Sequence, residues 1–188
     1  QSPANLVSDL YAVTGDILHK KGEEQEAFAA YDSCLQWKDD NVMALNNYAY
    51  YLSEKGVDLH KAESMSYKTI KAEPNNGTYL DTYAWILFME ERYADAKTYI
   101  DQALKNRDST ADNSTVLEHA GDIYYMNGMT DESVDFWKKA YTGENQTEVL
   151  AWKIKNRQYI TEEELKKRNA PKQKPAATKK SVRKGKKK

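Results

Sequence analysis

The sequence is short of most of the residues that catalysis and crosslinking require. Its single cysteine, Cys34, excludes an internal disulfide and any Cys-x-x-Cys metal or redox site. The three histidines, His19, His60 and His119, are scattered, and none stands in an HExxH pair. The eight glycines are dispersed, which leaves no glycine-rich phosphate loop. No apolar run approaches the ~18 residues that a membrane span needs. The opening, QSPANLVSDLY, has neither the basic start nor the apolar centre of a signal peptide. It also has no starting Met, so the chain reads as a processed product or an excised piece. Only three Phe stand beside fourteen Tyr and four Trp. Such amphipathic aromatics suit a thin array in which few positions are buried on every side.

What is present is first a charge asymmetry. The formal net charge is −1, yet residues 169–188 carry nine basic side chains and no acid: Lys172, Lys174, Lys179, Lys180, Arg183, Lys184, Lys186, Lys187 and Lys188. The body therefore stands at −10 and the tail at +9. With two prolines and almost nothing to bury, the tail is expected to be disordered.

The second feature is a recurrence of small residues. Gly15 and Ala27, Ala49 and Ala62, Ala84 and Ala96, and Gly121 and Ser133 lie twelve apart, thirteen in the second pair. Seven residues beyond each pair stands another small or slim side chain: Cys34, Thr69, Ala103 or Ala140. The unit repeats every 34 to 37 residues, and small side chains at fixed points let two antiparallel helices approach closely. Cys34 falls in this series and is expected to be a buried contact residue.

Each unit reads as helix, turn, helix. Leu6, Leu10, Val13, Ile17 and Leu18 recur at helical spacing in the first, which Gly22 should end in a left-handed cap. The units are placed at about 5–40, 41–76, 77–110 and 114–145. A one-residue insertion falls near Val57 and a three-residue one near Asp112. Residues 146–168 are expected to hold two capping helices, the second opened by a Thr161–Glu164 capping box.

Taken together, Tyr11, Gly15, Leu18, Ala27, Tyr31 and Cys34, with their counterparts Leu80, Ala84, Leu87, Ala96, Ile100 and Ala103 and the same pattern in the other two units, resemble the tetratricopeptide repeat (TPR). The resemblance covers about residues 5–145. It implies an all-α, right-handed solenoid of four helical hairpins with C-terminal capping helices. The stretches ALNNYAYYLSEKGVDLHKAESMSYKTIKAEP and YLDTYAWILFMEERYADAKTYIDQAL look like repeats of large bacterial TPR proteins of the cell envelope. That implies the C-terminal part of a longer protein and leans toward the periplasm or envelope, with the cytoplasm as the alternative.

The resemblance also implies a partner groove lined by the first helix of each unit. Carried onto this sequence, the groove positions are Asp16, Asn46, Tyr50, Asp81, Trp85, Phe88, Glu118, Asp122 and Tyr125. The family's best-known variant grips a C-terminal carboxylate with Lys, Asn and Arg. Acids at these positions disfavour such a clamp and suit a basic or apolar peptide instead. The plainer reading is that Tyr50 and Trp85 pack between units while the acids keep the groove soluble. Glu118, His119 and Asp122 come nearest to an acid–base cluster, but with no nucleophile beside them they are expected to form a surface helix face. The expectation is thus a non-catalytic scaffold, without cofactor or metal, that binds a protein or peptide. The alternative is an electrostatic tether whose tail meets anionic lipid or nucleic acid.

Overall fold

In the computed structural model, residues 2–170 are described, and their regular elements are helical. They run α1 (Pro3–Lys20), α2 (Glu24–Trp37), α3 (Val42–Lys55), α4 (Leu59–Ala72), α5 (Gly77–Met89), α6 (Tyr93–Asn106), α7 (Ser114–Met126), α8 (Thr130–Ala140), α9 (Glu148–Asn156) and α10 (Glu162–Asn169). Consecutive helices pair as antiparallel hairpins, α1–α2 through α7–α8, and each hairpin packs on the next. The first helices touch the first helix of the next unit, whereas the second helices make at most marginal contact with one another. The stack therefore curves with its first helices inside. The nine tail cations, from Lys172 onward, lie outside the described residues.

The recurring small residues sit where the helices of a hairpin cross, and Ala27, Ala49, Ala62, Ala84, Ala96, Cys34, Thr69, Ala103, Ser133 and Ala140 are all fully buried. A Cβ added at Gly15 would lie 2.7 Å from the Tyr31 ring, and one added at Gly121 would lie 2.3 Å from the Trp137 ring. In the other two units the first helix carries Ala49 or Ala84, and the position equivalent to Tyr31 and Trp137 holds Ser66 or Ile100. Volume is thus traded across the crossing: glycine opposite a large aromatic, alanine opposite something smaller.

Helix ends follow local chemistry. Asn41 accepts from the Ala44 N–H at 3.2 Å, and Asn76 accepts from Thr78 and Tyr79 at the start of α5. The expected capping box at Thr161 and Glu164 is formed, though α10 runs one residue beyond Arg168, to Asn169. Seven residues after each crossing residue of the first helix the chain turns through a left-handed position, at Gly22, Gly56, Glu91 and Gly128. The one-residue insertion is taken up beside Gly56, where Asp58 is also left-handed. The three-residue insertion lengthens the loop between α6 and α7, where Asp112 accepts from the Ser114 N–H at 2.9 Å.

The apolar stripe of α1 does not bury as a core face does. Leu6, Leu10, Val13 and Ile17 are 53%, 60%, 48% and 49% exposed, while Ser8, Ala12 and Gly15 are buried against α2 and α3. In the third and fourth units the positions equivalent to Val13 and Ile17 are Thr82, Ile86, His119 and Ile123, all buried where the preceding hairpin stacks. Among the described residues no hairpin covers α1 in this way.

Two outcomes are expected from this geometry. Glu91 occupies the turn position that glycine fills elsewhere, so Glu91→Gly should raise stability by about 0.5–1 kcal/mol, read from thermal unfolding. Gly121→Ala should destabilise by about 1–3 kcal/mol through overpacking against Trp137. Adding Trp137→Ile, which recreates the Ala84–Ile100 pairing, should recover part of that loss as a favourable coupling in a double-mutant cycle.

Candidate functional site

On the inner side of the first helices, the register position that follows each crossing residue holds Asp16, Tyr50, Trp85 and Asp122. At the two acids the pattern is shared. Tyr31 Oη donates to Asp16, and Trp137 Nε1 donates to Asp122 at 2.8 Å, in each case an aromatic of the second helix reaching past the glycine that admits it. The next unit's first helix then adds a donor. Asn47 Nδ2 lies 3.0 Å from Asp16, and Lys153 Nζ lies 2.8 and 2.9 Å from the two oxygens of Asp122. The separation in sequence is 31 residues both times, which places α9 in register as the first helix of a fifth unit.

Lys153 changes the character of the C-terminal half of the groove. Its side chain is buried, it also meets Glu118 Oε1 at 3.1 Å, and its ammonium lies 5.3 Å from the Tyr159 ring centre. Asn145 takes a second contact with Glu118. The Glu118, His119 and Asp122 trio is therefore not the surface face expected from sequence: His119 and Asp122 are buried. The reason is that α9 carries a cation into the acids and excludes water from them. Burial pushes the Asp122 carboxyl up, against the opposing pull of Lys153 and the Trp137 N–H. Phe88 is buried too, edge-on to Tyr159 at 5.7 Å between ring centres, while Tyr125 is half-buried against Trp137.

The middle of the groove is an aromatic stack. Trp85 lies between Phe88 and His119, with ring centres 4.7 and 4.1 Å away. His119 Nδ1 is 2.9 Å from Asp81 Oδ1. Burial pulls the His119 imidazole down, but Asp81 beside it, with Asp122 and Glu118 behind, outweighs burial and leaves it raised. Tyr50 is next in line, 6.2 Å from the His119 ring, and its phenol is raised by burial and by Glu54 and Asp81.

The open part of the concave face is a cavity of about 620 Å³ at the N-terminal halves of α3, α5 and α7, roofed by the inter-unit loops. Of the nine groove positions carried over from the resemblance, Asn46, Tyr50 and Asp81 line it. Trp85, Phe88, Glu118, Asp122 and Tyr125 lie instead in the aromatic stack and the Lys153 cluster, and Asp16 is held behind Asn47. Asn47 lines the cavity beside Asn46, and Asn76, Thr78, Thr82 and Arg107 do so as well; these last four fall outside the groove positions that the sequence offered. The Asn-Asn-Gly run at 75–77 is the signal that could have found them, since it marks an inter-unit turn and such turns border the groove.

Hairpins of this length, stacked through small residues with first helices inside, define a class of fold: the chain is an all-α solenoid with the architecture of a tetratricopeptide-repeat array. No family model matches it. Over 66 residues, 35% of the chain, it is 35% identical to the TPR repeat-containing protein PA4667 of Pseudomonas aeruginosa, of which the match spans 11%. Among solved structures, PilF of Pseudomonas aeruginosa superposes with a TM-score of 0.69 at 16% identity, covering 83% of this chain and 69% of that one. PilW, a widely conserved type IV pilus biogenesis factor, superposes at 0.67 with 15% identity, covering 83% and 71%. At such identities the structural likeness shows the fold.

Removing the inserted cation should expose its role. Lys153→Met leaves Asp122 buried with only the Trp137 N–H, and should cost about 3–5 kcal/mol at neutral pH. A carboxyl whose folded pKa is raised binds its proton more readily in the native state, so its burden lightens as pH falls through that raised value. The stability gap between the variant and the parent chain should therefore narrow on acidification, as followed by urea unfolding at a series of pH values.

Proposed function

We propose that this array is a non-catalytic scaffold that holds a protein or peptide on the open half of its concave face. The observation that carries this is the division of the groove. Its C-terminal half is filled by the chain's own Lys153 and Tyr159, while its N-terminal half keeps a cavity lined by Asn46, Tyr50 and Asp81. A volume of about 620 Å³ falls in the range of pockets that enclose a few side chains. Among the described residues no group of three His, Cys, Asp or Glu side chains is placed to hold a metal ion. The buried titratable groups are engaged within the array, Asp122 with Lys153 and His119 with Asp81.

The placement of this scaffold in the cell envelope is part of the proposal. The support for it is the fold shared with PilW, a pilus biogenesis factor, together with the sequence style of the second and third units. A periplasmic partner would meet the groove as an extended or helical segment. The tail cations from Lys172 to Lys188 offer a second reading, in which they engage an anionic lipid surface or nucleic acid and the repeats act as a spacer. Their support is charge alone, since nine basic residues meet no acid in that segment.

Site-specific photocrosslinking in cells separates these readings. A crosslinker at Tyr50 or Thr82 should trap a discrete protein adduct that one at Lys68, on a second helix, does not. Adducts that form only from positions beyond Lys172, and disappear in high salt, would transfer the binding role to the tail.

A further inference from the structure

We infer that the open cavity is built to receive a hydrogen-bond donor that carries positive charge, a Lys or Arg side chain of the partner. This rests on the groove reading above and specifies the chemistry of its ligand. The inference starts from a relay of side chains across the first two units. Asp16, as a carboxylate, can only accept. Asn47 lies 3.0 Å from it and must therefore turn its NH2 group toward Asp16. That leaves Asn47 Oδ1 facing the other way, where it accepts from Asn46 Nδ2 at 3.2 Å. The NH2 group of Asn46 is thereby used, and its Oδ1 becomes the free end of the relay.

Asn46 lines the cavity, is 5% exposed, and its Oδ1 is buried with no hydrogen-bond partner among the described residues. A buried acceptor without a donor is costly to leave unmade, and the polarity of the relay forbids relief by an oxyanion. The surroundings select among donors. Asp81 lines the same cavity, with one oxygen engaged by His119, and Asp108 and Asp112 stand on its loop edge, with Arg107 as the opposing cation. The acids of the other half, Glu118 and Asp122, share the ammonium of Lys153, whereas among the described residues no Lys or Arg ion pair is formed by Asp81. Lys153 illustrates the result: in the closed half an ammonium sits between a buried acceptor pair and an aromatic ring, and the open half offers Asn46, Asp81 and Tyr50 with no cation among the described residues seated between them.

Binding of three capped hexapeptides, alternating Ala with Lys, Glu or norleucine, would test this by calorimetry. It should be run on the full chain and on a chain ending at Ala170, so that the tail cations cannot mask the cavity. The Lys peptide should bind at least tenfold more tightly than either other peptide. Asn46→Leu and the isosteric Asp81→Asn should each weaken it on the order of tenfold, with helicity and melting checked alongside. Norleucine or Glu peptides that bind as well as Lys, or a Lys preference unmoved by both Asn46→Leu and Asp81→Asn, overturn the donor assignment. If those same peptides still lose affinity on Tyr50→Ala, the groove reading stands without it, whereas absence of binding by all three overturns both.

Discussion

How closely the two helices of a unit can cross decides what the concave face presents. Where the first helix gives up its Cβ, at Gly15 and Gly121, the second helix can lay Tyr31 or Trp137 across it. The polar edge of that ring then reaches the next residue, Asp16 or Asp122. Where the first helix keeps a methyl group, at Ala49 and Ala84, the facing residue shrinks to Ser66 or Ile100, and neither donates to the position that follows. The position that follows is then an aromatic, Tyr50 or Trp85. Acids thus stand on the inner face where the second helix supplies a hydrogen bond, and aromatic rings stand where it does not. This is what polar satisfaction demands of groups shielded from water.

The same requirement divides the groove into a finished half and an unfinished one. Asp122 and Glu118 would be an expensive pair of acids to shelter, and Lys153 resolves this from the next first helix, at the register where Asn47 meets Asp16. A buried ion triad of this kind adds little net stability compared with an apolar replacement, but breaking it is costly. Its effect is positional: α9 is locked to α7, and Tyr159 is carried over Phe88, so the far end of the array closes on itself. The open half has neutral amides where the closed half has an ammonium.

The architecture was legible in the sequence because small residues at helix crossings have no substitutes: Gly15, Ala49, Ala84 and Gly121 announce their role by size alone. The insertions could be placed for the same reason, since any shift in the series is a shift of the chain. The groove was legible only as a set of positions. Asp122 looked like a surface acid because its neutralising partner is 31 residues away, in a helix read as a cap. Continuing the period by 34 residues from His119 would have led to Lys153. The α1 stripe of Leu6, Leu10, Val13 and Ile17 was visible as periodicity, but periodicity cannot tell which neighbour a face awaits. Asn46 carried no signal of its own, since the meaning of an amide depends on which end its neighbours have already used.

The Asp16–Asn47–Asn46 relay extends this last point beyond the pocket. Asp16 lies in a different unit from the amide of Asn46 and does not line the cavity, yet its carboxylate sets which end of Asn47, and through it of Asn46, is engaged. The polarity of the pocket's wall is thus inherited from a residue outside it. Comparisons restricted to groove residues would miss what fixes it.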